Sequence, residues 1–252
     1  MKLIMKYIRL PLILLLILFL CPEQALTQDL PGLTLSMGEA TGPEKVSMAL
    51  QILILLTVLT MAPAILLMTT SFIRIVIVLS FLRQAMGTQQ MPPNQIIIGL
   101  AMFLTFFIMS PVFTQINEIA LQPYLQEQIE EKKALQLAIN PLRDFMFSQV
   151  REDDLKLMME ISKSKPPENK EEVSTLTLIP AFMISELRRA FQIGFMIFIP
   201  FLIIDMITAS VLMTMGMLML PPIVISLPFK VLLFVLVDGW NLIVGSLIQG
   251  FF

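Results

Sequence analysis

The chain has 252 residues and a formal net charge of −2. Apolar residues make up 56% and charged residues 14%, against about 45–50% and about 25% in ordinary soluble domains. Such a chain cannot cover a water-facing surface, and its near-neutral charge gives no basis for binding nucleic acid. With no histidine and one cysteine, Cys21, it has neither the parts of a Ser–His–Asp or Cys–His centre nor the ligands of a thiolate metal site.

The N-terminus has the layout of a secretory leader. Lys2, Lys6 and Arg9 form a basic region, Pro11 to Leu20 is apolar, and small or polar residues follow. The apolar run is too short to cross a bilayer, which takes about 20 residues. Residues 1–25 therefore read as a signal peptide, cleaved near Ala25 to Gln28, with 26–45 a polar segment outside the cytoplasm.

Four apolar segments come next: Val46 to Leu82, Gln95 to Phe113, Ile193 to Leu220 and Ile223 to Leu247. Each is long enough to span. They predict an all-α integral membrane protein with about four long helices, grouped as one hairpin over 46–115 and a second over 181–252. Between them, 116–180 is a polar insert. Its Glu118 to Glu172 stretch holds twelve acidic and eight basic residues. Helical spacing over Tyr124 to Leu137 and Leu142 to Ile161 marks the insert as folded, with Pro141 between the two helices. Arg74, Arg83 and Lys230 near the intervening turns put those turns inside and the insert in the periplasm.

Pro63, Pro111, Pro200 and Pro228 fall one in each apolar segment and predict kinks. Freed carbonyls are poorly tolerated against lipid, so kinked helices favour packing on protein or water. Arg74, Glu186, Arg188, Arg189, Asp205, Lys230 and Asp238 interrupt apolar sequence, and such charges face bundle interiors, cavities or partners. Glu186 and Arg189 are placed to pair along one helix face. Lys230 and Asp238 lie about 12 Å apart along a helix and should not pair with each other. Each then requires a partner on another helix or subunit. The methionine-dense MTMGMLML, Met213 to Leu220, sits at a helix break, where flexible thioethers suit a deformable ring or plain gap filling. No phosphate-binding glycine motif is present, and Asp205 with Asp238 is the one aspartate pair a membrane protease could use, outside any G-x-G-D context. The expected reading is a protein that catalyses nothing and needs no cofactor.

Four blocks in order, GLAMFLTFFIMSP (Gly99 to Pro111), PAFMISELRRAFQIGF (Pro180 to Phe195), IGFMIFIPFLIIDMITASVLM (Ile193 to Met213) and PFKVLLFVLVDGW (Pro228 to Trp240), resemble the FliP/SctR family of type III secretion export-gate proteins. The leader and the large insert look more like its flagellar branch than its injectisome branch. The resemblance implies a homopentamer with FliQ-type and FliR-type subunits, beside FlhB-type and FlhA-type export proteins. Such an assembly forms the portal through which unfolded flagellar subunits leave across the inner membrane. It also implies that the apolar segments become helical hairpins of a cone above the membrane plane. Met215, Met217, Leu218 and Met219 fall in the family's pore gasket, Leu218 standing where some members have methionine. Glu186, Arg188, Arg189, Asp205, Lys230 and Asp238 become candidate intersubunit or intramembrane charges. A stand-alone proton-coupled transporter is the rival reading, and the absence of inverted repeats in the sequence speaks against it. A purely structural scaffold would tolerate changes at Met217, Met219 and Gly216.

Overall fold

The computed structural model describes residues 43–88, 91–163, 169–217 and 219–252, the side chains of 43–49 excepted. The expected leader with Cys21, most of the 26–45 segment, and Leu218 lie outside the described residues. The chain divides into two compact units, Met1–Leu56 and Thr57–Phe252. Of the first, only the opening turns of helix α1 (Pro43–Met68) are described, and everything below concerns the second.

The first apolar run folds as two helices rather than one. α1 ends at Met68 and α2 (Phe72–Ala85) begins after Thr69, Thr70 and Ser71. Hydroxyls make this break: Thr69 Oγ1 donates to the carbonyls of Ile65 (3.0 Å) and Leu66 (3.2 Å), and Thr70 Oγ1 to that of Leu67 (3.2 Å). They satisfy the end of α1 locally, competing with continued helix. The two helices differ in kind. From Thr57 to Met68 no residue of α1 is buried, whereas α2 buries Ile75, Val78, Leu79 and Leu82 at helical spacing. α2 is thus the core helix of the molecule, although both halves read alike in sequence.

α3 (Asn94–Ile116) starts directly after Pro93 and continues through a π-helical turn, Asn117–Leu121, into α4 (Gln122–Leu125). Pro123, with no N–H to give, lies just beyond that turn. The polar insert holds α5 (Glu131–Gln149) and α6 (Glu152–Ile161). The helix runs through Pro141, and the break expected there falls instead at Val150 and Arg151, both extended. Tertiary contact decides this: the Arg151 N–H is drawn to Ser185 Oγ at 3.0 Å.

α7 (Thr175–Thr214) is a single helix of 40 residues that starts well before the expected third span. At 1.5 Å per residue it is about 60 Å long, twice a bilayer's hydrocarbon core. Burial divides it. Thr177, Leu178, Ala181, Phe182, Ser185, Glu186, Ala190 and Gly194 are buried, and after Gly194 only Phe201 and Leu212 join them. The first half packs against α2, α5 and α6, and the second half presents apolar side chains outward. The fourth apolar run is α8 (Pro222–Leu236) and α9 (Gly239–Gln249), bent by 63° at Val237–Asp238.

Pro63, Pro111, Pro200 and Pro228 all lie inside helices that continue past them. The breaks come elsewhere, at a Thr-Thr-Ser cluster, at Gly216 and at Asp238. Among the described residues, three helices, or four with the bent pair, are long and apolar enough to cross a membrane. The chain is an all-α membrane protein.

One close approach sets the core. Gly194 lies under the ring of Phe81, where a Cβ would overlap ring atoms, and Phe81 is itself held edge-on by Phe191 (5.2 Å) and Phe198 (6.2 Å). Gly194→Ala should therefore cost about 1–3 kcal/mol by overpacking. The check is the thermal unfolding midpoint of the purified chain, with Gly99→Ala, at a site open within 4 Å, as the control that should not fall.

Candidate functional site

Three groups of residues stand out against the apolar background: a buried arginine cluster, a buried lysine pair and the methionine turn.

Arg74, on the core face of α2, is 1% exposed. Its guanidinium makes a two-pronged pair with Glu186 of α7, Nε donating to Oε2 at 2.8 Å and Nη2 donating to Oε1. Nη2 also donates to Gln149 Oε1 (3.0 Å) at the end of α5, and Nη1 to the Gly250 carbonyl (2.9 Å) just after α9. The Phe251 ring lies 3.7 Å from its central carbon. Glu186 is fully buried and has a second cation, Arg189, at 3.8 Å along the same helix face. Arg189 in turn donates to Gln149 Oε1 at 2.6 Å. Bidentate geometry and filled donors are what allow such charges away from water.

From positions flanking Glu186 on α7, Arg188 pairs with Asp154 of α6 at 2.8 Å, and Ser185 Oγ donates to the other Asp154 oxygen at 2.8 Å. Arg189, Arg188 and Ser185 therefore fasten the polar helices to the first half of α7, while Glu186 fastens α2 to it.

The lysine pair lies farther along the long helix. Lys230 of α8, 3% exposed, donates to Asp205 Oδ2 of α7 at 2.6 Å and to the Ala85 carbonyl at the end of α2 at 3.2 Å. Ser226 Oγ donates to Asp205 Oδ1. Three helices thus meet on one ammonium. Lys230 has its partner on another helix, at Asp205, and not at Asp238. Asp238 stands exposed at the bend with backbone φ 50° and ψ 53°, its carbonyl accepting from Leu242 N–H at 3.1 Å. Of the six charges, the structure pairs Glu186, Arg188, Arg189, Asp205 and Lys230 within the chain.

The methionine turn joins α7 to α8. Gly216, at φ +72°, takes the left-handed position after the helix; its N–H donates to Met213 O (3.1 Å), and Met217 N–H reaches back to Leu212 O (3.0 Å). This is a Schellman ending, which favours glycine there. Pro221 and Pro222 then open α8. Met215 just before Gly216, and Met217 and Met219 between it and the prolines, are exposed by 67%, 41% and 98%, so their side chains are not packing the chain's own core. Among the described residues no cluster could hold a metal ion.

Gln149, Asp154, Ser226 and the Gly250–Phe251 turn carry no signal of these roles in the sequence. Each is an ordinary polar or terminal residue in its own neighbourhood, and only the fold brings it to a charge. Arg74 did carry a signal, as a lone cation in an apolar run.

Long apolar helices with outward-facing apolar sides, tied by intramolecular ion pairs and joined by a methionine turn, define a polytopic helical membrane protein built to meet other surfaces. Comparison with known proteins gives the particular kind. The profile of the FliP family matches residues 55–247. The chain is 56% identical to the flagellar biosynthetic protein FliP of Bacillus subtilis over 217 residues, 86% of this chain and 98% of that one. It is 50% identical to that of Pectobacterium carotovorum over 94% and 90% of the two chains, and 49% identical to that of Caulobacter vibrioides over 91% and 85%. The chain belongs to the FliP family and is a protein of flagellar biosynthesis.

Removing one member of the Arg74 pair should cost about 3–5 kcal/mol by stranding a buried charge. Glu186→Leu or Arg74→Leu should thus sharply reduce the amount of folded chain recovered from membranes. The double variant should recover part of the loss, as read by size-exclusion chromatography in detergent.

Proposed function

We propose that this chain is a pore-forming subunit of the flagellar type III export gate, passing unfolded flagellar subunits across the inner membrane. The observation that carries the reading is the methionine turn: a glycine-capped, proline-closed loop at the end of a 40-residue helix, with its methionines turned away from the chain's own core. Flexible, polarizable side chains on a fixed loop can close around strands of varied sequence. Several copies, arranged as a homopentamer, would bring the loops together as a gasket of Met215, Met217, Leu218 and Met219.

The outward apolar faces of α1, α7 and α8 are the surfaces on which further copies, FliQ-type and FliR-type subunits, and lipid would pack, with FlhB-type and FlhA-type proteins alongside. The signal peptide at 1–25 would direct insertion. The paired charges keep each subunit's helices in register and catalyse nothing.

Deleting the gene should abolish both flagellin in the medium and swimming, and the intact chain supplied on a plasmid should restore both. Flagellin export continuing at normal level without the gene would overturn the assignment. Replacing Met217 and Met219 with alanine should increase leakage of small ions or dye through the assembled gate, while the amount of assembled gate stays the same. An unchanged leak would remove the gasket role.

A further inference from the structure

α9 is attached to the rest of the chain in an unusual way. At its start, the Asp238 backbone occupies the left-handed region, where α8 turns by 63° into α9. Non-glycine residues adopt that conformation chiefly at single turning points, and aspartate tolerates it better than most. Gly239 allows the bend to close, since a Cβ there would run into the Phe234 ring.

The far end of α9 is held by polar contacts to backbone atoms. Arg74 Nη1 donates to the Gly250 carbonyl at 2.9 Å, and Gln149 Nε2 donates to the Phe251 carbonyl at 3.2 Å. The Phe251 ring is clamped between the Arg74 guanidinium and Phe145, whose ring centroid is 6.3 Å away. Between hinge and clamp the helix is only lightly engaged. Ile243 and Leu247, with the partly buried Ile248, are its apolar contacts with the core, and an apolar groove of about 530 Å³ opens between α9, α7 and α8, bordered by Met196, Pro200, Leu233 and Leu242.

We propose that α9 is a hinged strap: it seats and lifts as one body about Val237–Asp238, and Arg74 with Gln149 is the pin that holds it down. A segment fixed at both ends and thinly packed between them opens at lower free energy than the core it covers. The pin acts on carbonyls and one ring, so it senses whether the strap is seated rather than the strap's side chains. This reading stands whether or not the chain lines an export pore.

The test uses the full chain, purified in detergent, with Cys21→Ser to remove the native thiol. Leu247→Cys places a thiol on the underside of the strap, where Leu247 is 1% exposed, and Ala101→Cys places one in the α3 core, at 0%. Unpinning by Phe251→Ala should speed maleimide labelling at 247 by about tenfold or more, and at 101 by less than about twofold. Gln149→Ala, which keeps the ring clamp, should give a smaller rise of the same pattern and serves where Phe251→Ala is not recovered. Trp240, the chain's one tryptophan, packs edge-on against Phe234 across the hinge at 5.6 Å and reports the same event without a cysteine. Its emission should shift when the pin is cut. Equal acceleration at both thiols would mean that the chain loosens as a whole, and no acceleration at 247 in both Phe251→Ala and Gln149→Ala would mean that the ring clamp and Gln149 hold nothing. Either result overturns the strap.

Discussion

The guanidinium of Arg74 has to be neutralised and hydrogen-bonded in a place that water does not reach, and the rest of the fold is organised around that requirement. A buried charge with a missing partner is among the costliest defects a protein can carry. Here the partners come from four directions: Glu186 on α7, Gln149 at the end of α5, the Gly250 carbonyl after α9, and the Phe251 ring. No two of them are close in sequence except the last pair. Meeting the charge therefore fixes the polar helices, the long helix and the last helix relative to α2 in one step. The pair need not add net stability to do this. Its directional donors reject arrangements that an apolar contact would accept.

The 40 residues of α7 carry this constraint along the molecule. Its first half is committed to Arg74, to Asp154 and to the Phe81–Gly194 contact, and is buried as a soluble core helix would be. Its second half has one polar anchor, Asp205, answered by Lys230 and Ser226, and is otherwise outward-facing. A helix so divided joins a chain-internal core to a region whose apolar surface waits for lipid or protein. The methionine turn follows directly from that second half. Gly216 ends the long helix and the Pro221–Pro222 pair opens the next, so the turn is bounded by fixed backbone on either side.

Lys230 gives a second view of the same economy. One ammonium bonds Asp205 on α7 and closes the end of α2 through the Ala85 carbonyl. It thereby keeps the methionine turn, α8 and the α2–α3 connection together. The resemblance to export-gate proteins suggests intersubunit roles for these charges, yet within the chain most already have partners. What is left for neighbouring molecules is mainly apolar: the sides of α1, α7 and α8 and the exposed methionines Met215, Met217 and Met219 of the turn.

Much of this could be read from the sequence, for reasons of solvation and local geometry. The apolar excess demanded a membrane or a partner, run lengths called for spans, and Glu118 to Glu172 could not be buried in lipid. Gly216 before Pro221–Pro222 marked a turn, and single charges in apolar runs had to be answered by other charges. Other features were decided only by tertiary contact. Val46 to Leu82 reads as one continuous run, and nothing local says that α1 is exposed while α2 is the core. Pro141 marked a break, but Ser185 drew the backbone of Arg151 and moved it ten residues on. Hydropathy placed Arg74, Glu186, Asp205 and Lys230 in apolar surroundings without saying which would meet, because pairing depends on where helices cross. Gln149 and Phe251 had no signal at all, since a glutamine and a phenylalanine become parts of an arginine's site only when distant segments bring them there. The sequence determined the kinds of surface this protein has, through the cost of mismatching residue and solvent. The fold alone decided which charge answers which, because those distances exist only once the helices are packed.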